Sequence, residues 1–168
     1  MEKFAVLVPM DGSEFSRQIF PYLRKFLSEE ENRLVLLRVG ESPMGRVGTP
    51  PRPVTVDITT QMYDTHASLV SAAHPIYASQ ERQSEIAMFR REMAETIESL
   101  EDDGYTVSLE VRFGNPGAEI VEYVANHDID LVAMTTHSRQ GINRLLFGSV
   151  TKYVAEHVGV PIMIYRPS

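Results

Sequence analysis

The chain has 168 residues, no cysteine and a formal net charge of −7, with 16 basic against 23 acidic side chains. That length fits one domain of ordinary size, and the absence of cysteine excludes disulfides, thiolate catalysis and cysteine-ligated zinc. No dense basic run is present, so the composition argues against a nucleic-acid partner or an anionic membrane.

The N-terminal quarter is predicted to form a strand, a helix and a second strand. The first apolar run, Phe4 to Met10, is too short for a secretory signal or a membrane span, so we expect a cytoplasmic protein with no membrane contact. Ser13 is a candidate N-cap for the helix that follows. One face of that helix is apolar, and its residues are Phe15, Ile19, Leu23, Phe26 and Leu27.

The rest of the chain continues the alternation of apolar runs and segments with helical spacing. A second helix is predicted from Ala78 to Leu100, and Asn115 with Pro116 provides the start of a third. Val150, Val154 and Val158 mark a last helix. The five predicted strands are Phe4–Pro9, Leu34–Val39, Tyr105–Phe113, Ile129–Met134 and Val160–Tyr165. The third alternates apolar and polar residues, which is typical of a strand near the edge of a sheet.

Strands that alternate with helices predict a single α/β domain in three layers, with a Rossmann-like parallel sheet covered by helices on both faces. Ligands bind such sheets beyond the carboxyl ends of the strands, where the strand order reverses. One segment does not fit the alternation: an insertion at about 41–77, rich in proline and glycine. A loop of that length is usually functional or disordered.

Common catalytic and metal-binding signatures are missing. The sequence has no P-loop motif, no GxGxxG after a strand, no GxSxG and no HExxH. The histidines are not spaced as metal ligands, and His127 and His157 lie near predicted helix C-termini, where they complement the helix dipole. The sequence therefore predicts neither a metal site nor a catalytic residue.

The stretch TTHSRQGINRLLFGSV, from Thr135 to Val150, follows the fourth predicted strand and leads into the last helix. With Ser149 as N-cap, this helix would present free backbone amides and partial positive charge, which suit a phosphate. We expect an inward-packed lid between the two ends of the stretch, formed by Ile142, Leu145, Leu146 and Phe147. On physical grounds alone, anion binding and a plain capped helix both remain open.

The chain resembles the universal stress protein family over nearly its whole length, apart from the insertion. The resemblance rests on VLVPMDGSEFS, on VRFGNPGAEIVEYVANHDIDLVAMTTHS and on LLFGSVTKYVAEHVGVPIMIYRP. It implies a five-stranded parallel sheet in the order 3-2-1-4-5. It also implies a homodimer formed by antiparallel pairing of the last strands, here Val160–Tyr165.

One branch of this family binds ATP through a glycine, two residues, a second glycine, nine residues, and then glycine with serine or threonine. Gly148 and Ser149 match the last element, whereas Thr135 and Ser138 replace the two earlier glycines. If that position requires a positive φ, Ser138 would be strained; if it requires only an N–H directed at a phosphate, serine supplies it and adds a hydroxyl. The nucleotide-binding residues that the resemblance implies are Pro9, Asp11, Val39, Met134, Thr135, His137, Ser138, Gly148, Ser149 and Val150.

Three functions follow from this comparison of residues and family. The first is a cytoplasmic, homodimeric regulator of a stress response that binds ATP or AMP, with or without Mg²⁺. The second is a universal stress protein that binds no nucleotide and acts as a dimeric protein-interaction module. The third is an ATPase or phosphotransferase, which we do not favour because its only candidate, His137, has no carboxylate spaced to orient it.

Overall fold

The computed structural model describes the backbone of residues 3–40, 65–136 and 147–167, and side chains over 3–40, 83–136 and 147–167. Its strands are β1 (Phe4–Met10), β2 (Asn32–Gly40), β3 (Thr106–Phe113), β4 (Leu131–Thr135) and β5 (Ile162–Tyr165). Its helices are α1 (Glu14–Arg17), α2 (Phe20–Phe26), α3 (Thr65–Asp102), α4 (Pro116–Asn126) and α5 (Ser149–His157).

The five strands form one parallel sheet in the order β3-β2-β1-β4-β5. This confirms the predicted α/β class and the strand order. One apolar core joins the sheet to α2 and α3 and includes Phe20, Leu23 and Met93. A second core on the opposite face joins it to α4 and α5 and includes Ile120 and Val154. The strand order reverses between β1 and β4. The chain therefore leaves these two neighbouring strands toward opposite faces of the sheet.

The helices on the β1 side differ from the sequence prediction in two respects. The single helix predicted after Ser13 is two helices, α1 and α2, because Pro21 has no N–H to continue the ladder of the first. The second helix, α3, starts at Thr65 rather than Ala78 and is 38 residues long. Residues 65–77 of the predicted insertion are therefore helical, and 41–64 lie outside the described residues. The single-domain organisation stays a prediction.

The two edges of the sheet differ in character. On β3, Val107, Leu109 and Val111 pack against the α3 side, whereas the alternate positions are mainly exposed and polar. This confirms the predicted edge position of that strand. On β5, all four residues are half-buried and apolar or aromatic. Among the described helices, none is long and apolar enough to cross a bilayer.

Candidate functional site

The carboxyl ends of three neighbouring strands bring several of the predicted residues to one edge of the sheet. Pro9 is the penultimate residue of β1, and Asp11 follows that strand directly. Val39 lies near the end of β2 and packs against the core on the α4 and α5 side. Met134 and Thr135 end β4, which is hydrogen-bonded to β1 in the sheet. The described residues of the prediction therefore converge where the strand order reverses.

The turn after β1 is held by its own side chains. Asp11 Oδ1 accepts hydrogen bonds from the Ser13 amide at 2.9 Å and from its hydroxyl at 2.5 Å. Ser13 in turn accepts from the Ser16 amide at 3.2 Å, which confirms it as the N-cap of α1. Gly12 between them has a φ of 82°, a left-handed conformation that glycine adopts without strain. This turn fixes the direction in which Asp11 leaves the sheet.

An arginine that the sequence analysis did not single out lies under this turn. Arg38 pairs with Met10 across β1 and β2, and its guanidinium sits 5.3 Å from the centre of the Phe89 ring. A Cβ at Gly12 would stand only 2.7 Å from Arg38 Nη1, so a larger residue there would displace the end of the arginine side chain. Within the described residues, Nη1 is buried without a hydrogen-bond partner. The arginine thus brings positive charge to the β1 and β2 ends.

At the end of β4, the chain passes from an apolar core residue, Met134, to a buried polar residue, Thr136. Met134 is 4% exposed and belongs to the core shared with α4 and α5. Thr135 pairs with Tyr165 of β5. Thr136, which the sequence analysis did not include in the site, is buried, and its amide donates to the Tyr165 carbonyl at 3.0 Å. The sequence feature that could have identified Thr136 as a site residue is its polar side chain directly after a buried strand.

The first turn of α5 begins beside Thr136. Gly148, not Ser149, is the N-cap, with φ −57° and ψ 156°, so the prediction of Ser149 as the cap was wrong. The helix starts one residue earlier because the Gly148 carbonyl already accepts from the Lys152 amide at 2.9 Å. The Gly148 amide donates to Thr136 Oγ1 at 3.1 Å. Since glycine has no side chain, no cap bond is made to the turn that follows.

The amides of Ser149, Val150 and Thr151 therefore open the helix without an acceptor in the described part of the chain. Such amides carry the positive end of the helix dipole and suit an anion. Ser149 is exposed and Val150 is half-buried, so solvent reaches this end of the helix.

Two predicted site residues, His137 and Ser138, lie outside the described residues, as do Ile142, Leu145 and Leu146 of the expected lid. Phe147, the remaining lid residue, is 49% exposed and does not pack inward as expected. It immediately precedes Gly148, the N-cap of α5.

Two histidines have the structural role that their positions predict. His127 Nδ1 lies 2.9 Å from the Tyr123 carbonyl, and His157 Nδ1 lies 2.7 Å from the Tyr153 carbonyl. Each ring also stacks on the tyrosine one turn earlier. No group of three or more metal-ligating side chains occurs in the parts of the chain with described side chains.

Comparison with known proteins identifies the family. The model of the universal stress protein family matches residues 4–166, nearly the whole chain. This chain belongs to the universal stress protein family. The match includes the strand ends and the start of α5 that form the candidate site.

Two curated relatives share part of this sequence. Universal stress protein Sll1388 of Synechocystis is 30% identical over 70 residues, which are 42% of this chain and 46% of the relative. Universal stress protein MJ0577 of Methanocaldococcus jannaschii is 27% identical over 77 residues, which are 46% of this chain and 48% of the relative. The chain thus aligns with about half the length of these relatives.

Solved structures share the fold over the full chain. MJ0577 matches with a TM-score of 0.68 at 18% identity, covering 100% of this chain and 99% of its own. A universal stress protein in complex with cAMP matches at 0.59 and 17% identity over 100% of both chains. A family member from Arabidopsis thaliana with AMP bound matches at 0.59 and 15% identity, over 98% of this chain and 92% of its own.

Proposed function

We propose that this universal stress protein binds an adenine nucleotide, ATP or AMP, at the carboxyl edge of its sheet and acts in the cytoplasm as a regulator of a stress response. The observation that carries the proposal is the open first turn of α5. It stands beside the end of β4, at the reversal of strand order.

The phosphates would meet the amides of Ser149, Val150 and Thr151 and the hydroxyl of Ser149. These amides need an acceptor, and a phosphate supplies several oxygens in the field of the helix dipole. Any Mg²⁺ would accompany the nucleotide mainly through phosphate oxygens and water, as that ion commonly does.

The adenosine half would lie toward β1 and β2, beside Pro9, Asp11 and Val39. Asp11 already orders the turn after β1, so its carboxylate is held in place before a ligand arrives. Structural relatives with AMP and with cAMP bound support an adenine nucleotide as the ligand class. His137 and Ser138 are assigned to the same site from the family motif, and Thr135 would line it at the end of β4.

The proposal is tested with the purified protein by calorimetric titration of ATP, AMP and GTP with magnesium present. Adenine nucleotides should bind with measurable heat and raise the melting temperature, whereas GTP should do neither. Mass spectrometry of small molecules released on denaturation should also find an adenine nucleotide. If none of the three nucleotides binds and none co-purifies, the protein belongs to the branch that acts without a nucleotide.

A homodimer through β5 is the second part of the proposal. β5 is an edge strand whose residues are apolar or aromatic, and such an edge must be paired or covered to avoid promiscuous association. The carbonyls of Pro161 and Tyr165 accept from β4. Because hydrogen-bonding direction alternates along a strand, the amides of Ile162 and Ile164 point toward the open edge.

Hydrogen exchange of these two amides tests the dimer without a mutation. In a β5-paired dimer, the Ile162 and Ile164 amides should exchange slowly at high protein concentration and faster on dilution. Light scattering should show the mass falling from dimer to monomer over the same range. Rapid exchange at all concentrations, or a dimer whose Ile162 and Ile164 amides remain unprotected, would contradict pairing through β5.

A further inference from the structure

Thr136 joins three elements at the candidate site. Its backbone continues from β4, its amide donates to the Tyr165 carbonyl at the end of β5, and its hydroxyl oxygen accepts from the Gly148 amide at 3.1 Å. The residue is only 2% exposed. A buried hydroxyl that accepts from a helix-capping amide fixes that amide in both distance and direction.

We propose that Thr136 is a positioning residue of the nucleotide site. It holds the first turn of α5 through the Gly148 amide, so that the amides of residues 149–151 face the phosphate. This inference rests on the proposed nucleotide binding and assigns one side chain within it. The Gly148 amide then serves as an anchor for the helix rather than as a phosphate ligand.

The physical reason is preorganisation. Anion binding by several amides depends on their common direction, and a helix end that shifts must be ordered again when the ligand binds. In this chain, the N-cap has no side chain to order the turn from within. Thr136 orders it from the neighbouring strand, and its own backbone is fixed by β5. Adenosine contacts at Asp11 and Val39 do not involve this bond.

The first experiment compares Thr136→Val with Thr136→Ser. Valine has nearly the same shape as threonine but cannot accept the Gly148 amide, whereas serine retains the oxygen. The valine variant should bind ATP about tenfold more weakly, the loss expected for one hydrogen bond. Its affinity for adenosine, which has no phosphate, should stay within twofold of the wild-type value (about the error of such a titration). The serine variant should retain both affinities.

A matched control is available in α4. Asn115 Oδ1 accepts from the Ala118 amide at 3.2 Å, a side-chain bond to a helix start of nearly the same length as that of Thr136. Asn115→Ala should lower the melting temperature and leave ATP affinity unchanged. If Thr136→Val also leaves ATP affinity unchanged, or weakens adenosine as much as ATP, Thr136 has no positioning role for the phosphates.

Amide exchange measured by nuclear magnetic resonance separates this inference from the proposed function. Without ligand, the Gly148 amide should be protected in the wild type and exchange faster in Thr136→Val. ATP should protect the amides of Ser149, Val150 and Thr151. A wild-type protein that binds no ATP refutes the proposed function. Unchanged Gly148 exchange in Thr136→Val refutes the anchoring bond in either case.

Discussion

Helices α4 and α5 pack side by side on the same face of the sheet. Each follows a strand of the sheet, α4 after β3 and α5 after β4, yet their first turns are capped differently. In α4, the side chain of Asn115 accepts from the Ala118 amide, and Pro116 removes another donor at the start of the helix. In α5, Gly148 offers no side chain, and its own amide is held by Thr136. The α4 turn is capped by a side chain of its own, whereas that of α5 is held from the end of β4 and has no side-chain cap.

The difference matters for the proposed phosphate site, which needs a helix start whose amides have no side-chain acceptor. A side-chain cap stabilises the helix and fills the position that an anion would take. A glycine cap leaves that position open, and stability must come from outside the helix.

The largest expected effect comes from giving α5 a cap of its own. Gly148→Asp places a carboxylate where the phosphate would bind and lets it accept from the first-turn amides. ATP affinity should fall roughly 100-fold, because a like charge and lost donors together are worth about 3 kcal/mol. The backbone of Gly148, with φ −57°, accommodates aspartate, so the melting temperature should not fall.

Isothermal titration calorimetry measures the loss, and Asn115→Asp at the start of α4 is the control. It adds the same charge at the neighbouring helix and should leave ATP affinity unchanged. Equal losses in both variants would mean that net charge, not the position at α5, governs binding.

The contact between the two helices gives the next effect. Gly117 is buried in the first turn of α4, and a Cβ there would lie 2.8 Å from Cδ1 of Tyr153 in α5. Gly117→Ala should destabilise the protein by about 2 kcal/mol, because the close-packed pair must move apart. Urea unfolding measures the change. The double variant with Tyr153→Ala should be less destabilised than the sum of the two single variants, and simple additivity would contradict the contact.

Removal of the α4 cap should have a smaller effect. Asn115→Ala should lower the free energy of unfolding by about 1 kcal/mol, the usual contribution of an N-cap. Chemical denaturation measures this loss. Asn115→Ser, which keeps an acceptor, should recover most of it. An alanine variant as stable as the wild type would show that Asn115 does not stabilise α4.

The smallest effect concerns pH and a tyrosine of α4. Burial raises the pKa of Tyr123 above its ordinary value of about 10. Above that pH, the unfolded chain loses a phenolic proton that the folded protein keeps, so stability falls as pH rises toward the folded pKa. Tyr123→Phe should lessen this alkaline loss, as measured by unfolding between about pH 9 and 11. An identical pH dependence in the variant would contradict it.

The strands and two of the helix caps could be predicted from local sequence patterns. Apolar runs predict β1, β2, β4 and β5, since a buried parallel strand needs apolar residues throughout, whereas β3 is predicted from its alternation of apolar and polar residues. Ser13 and Asn115 are confirmed as caps because each acts on an amide three residues later, within the range of local patterns. Pro21 was the signal for the break between α1 and α2, and the apolar spacing on either side of it concealed the break.

The contacts that order the candidate site are not local. Thr136 and Gly148 are 12 positions apart, and their bond depends on how β4 and α5 meet in space. No residue type at either position indicates that contact. The sequence likewise favoured Ser149 as the cap, whereas in the structure the cap is Gly148, whose amide donates to Thr136.

The hydrogen bond from Thr136 to the Tyr165 carbonyl has a consequence for how the protein would respond to its own concentration. It makes the last residue of the edge strand a neighbour of the residue that holds α5. If strand pairing at that edge and nucleotide binding both restrict this junction, each event favours the other by the same factor, since thermodynamic linkage is reciprocal. ATP would then strengthen self-association, and the apparent ATP affinity would rise with the amount of protein.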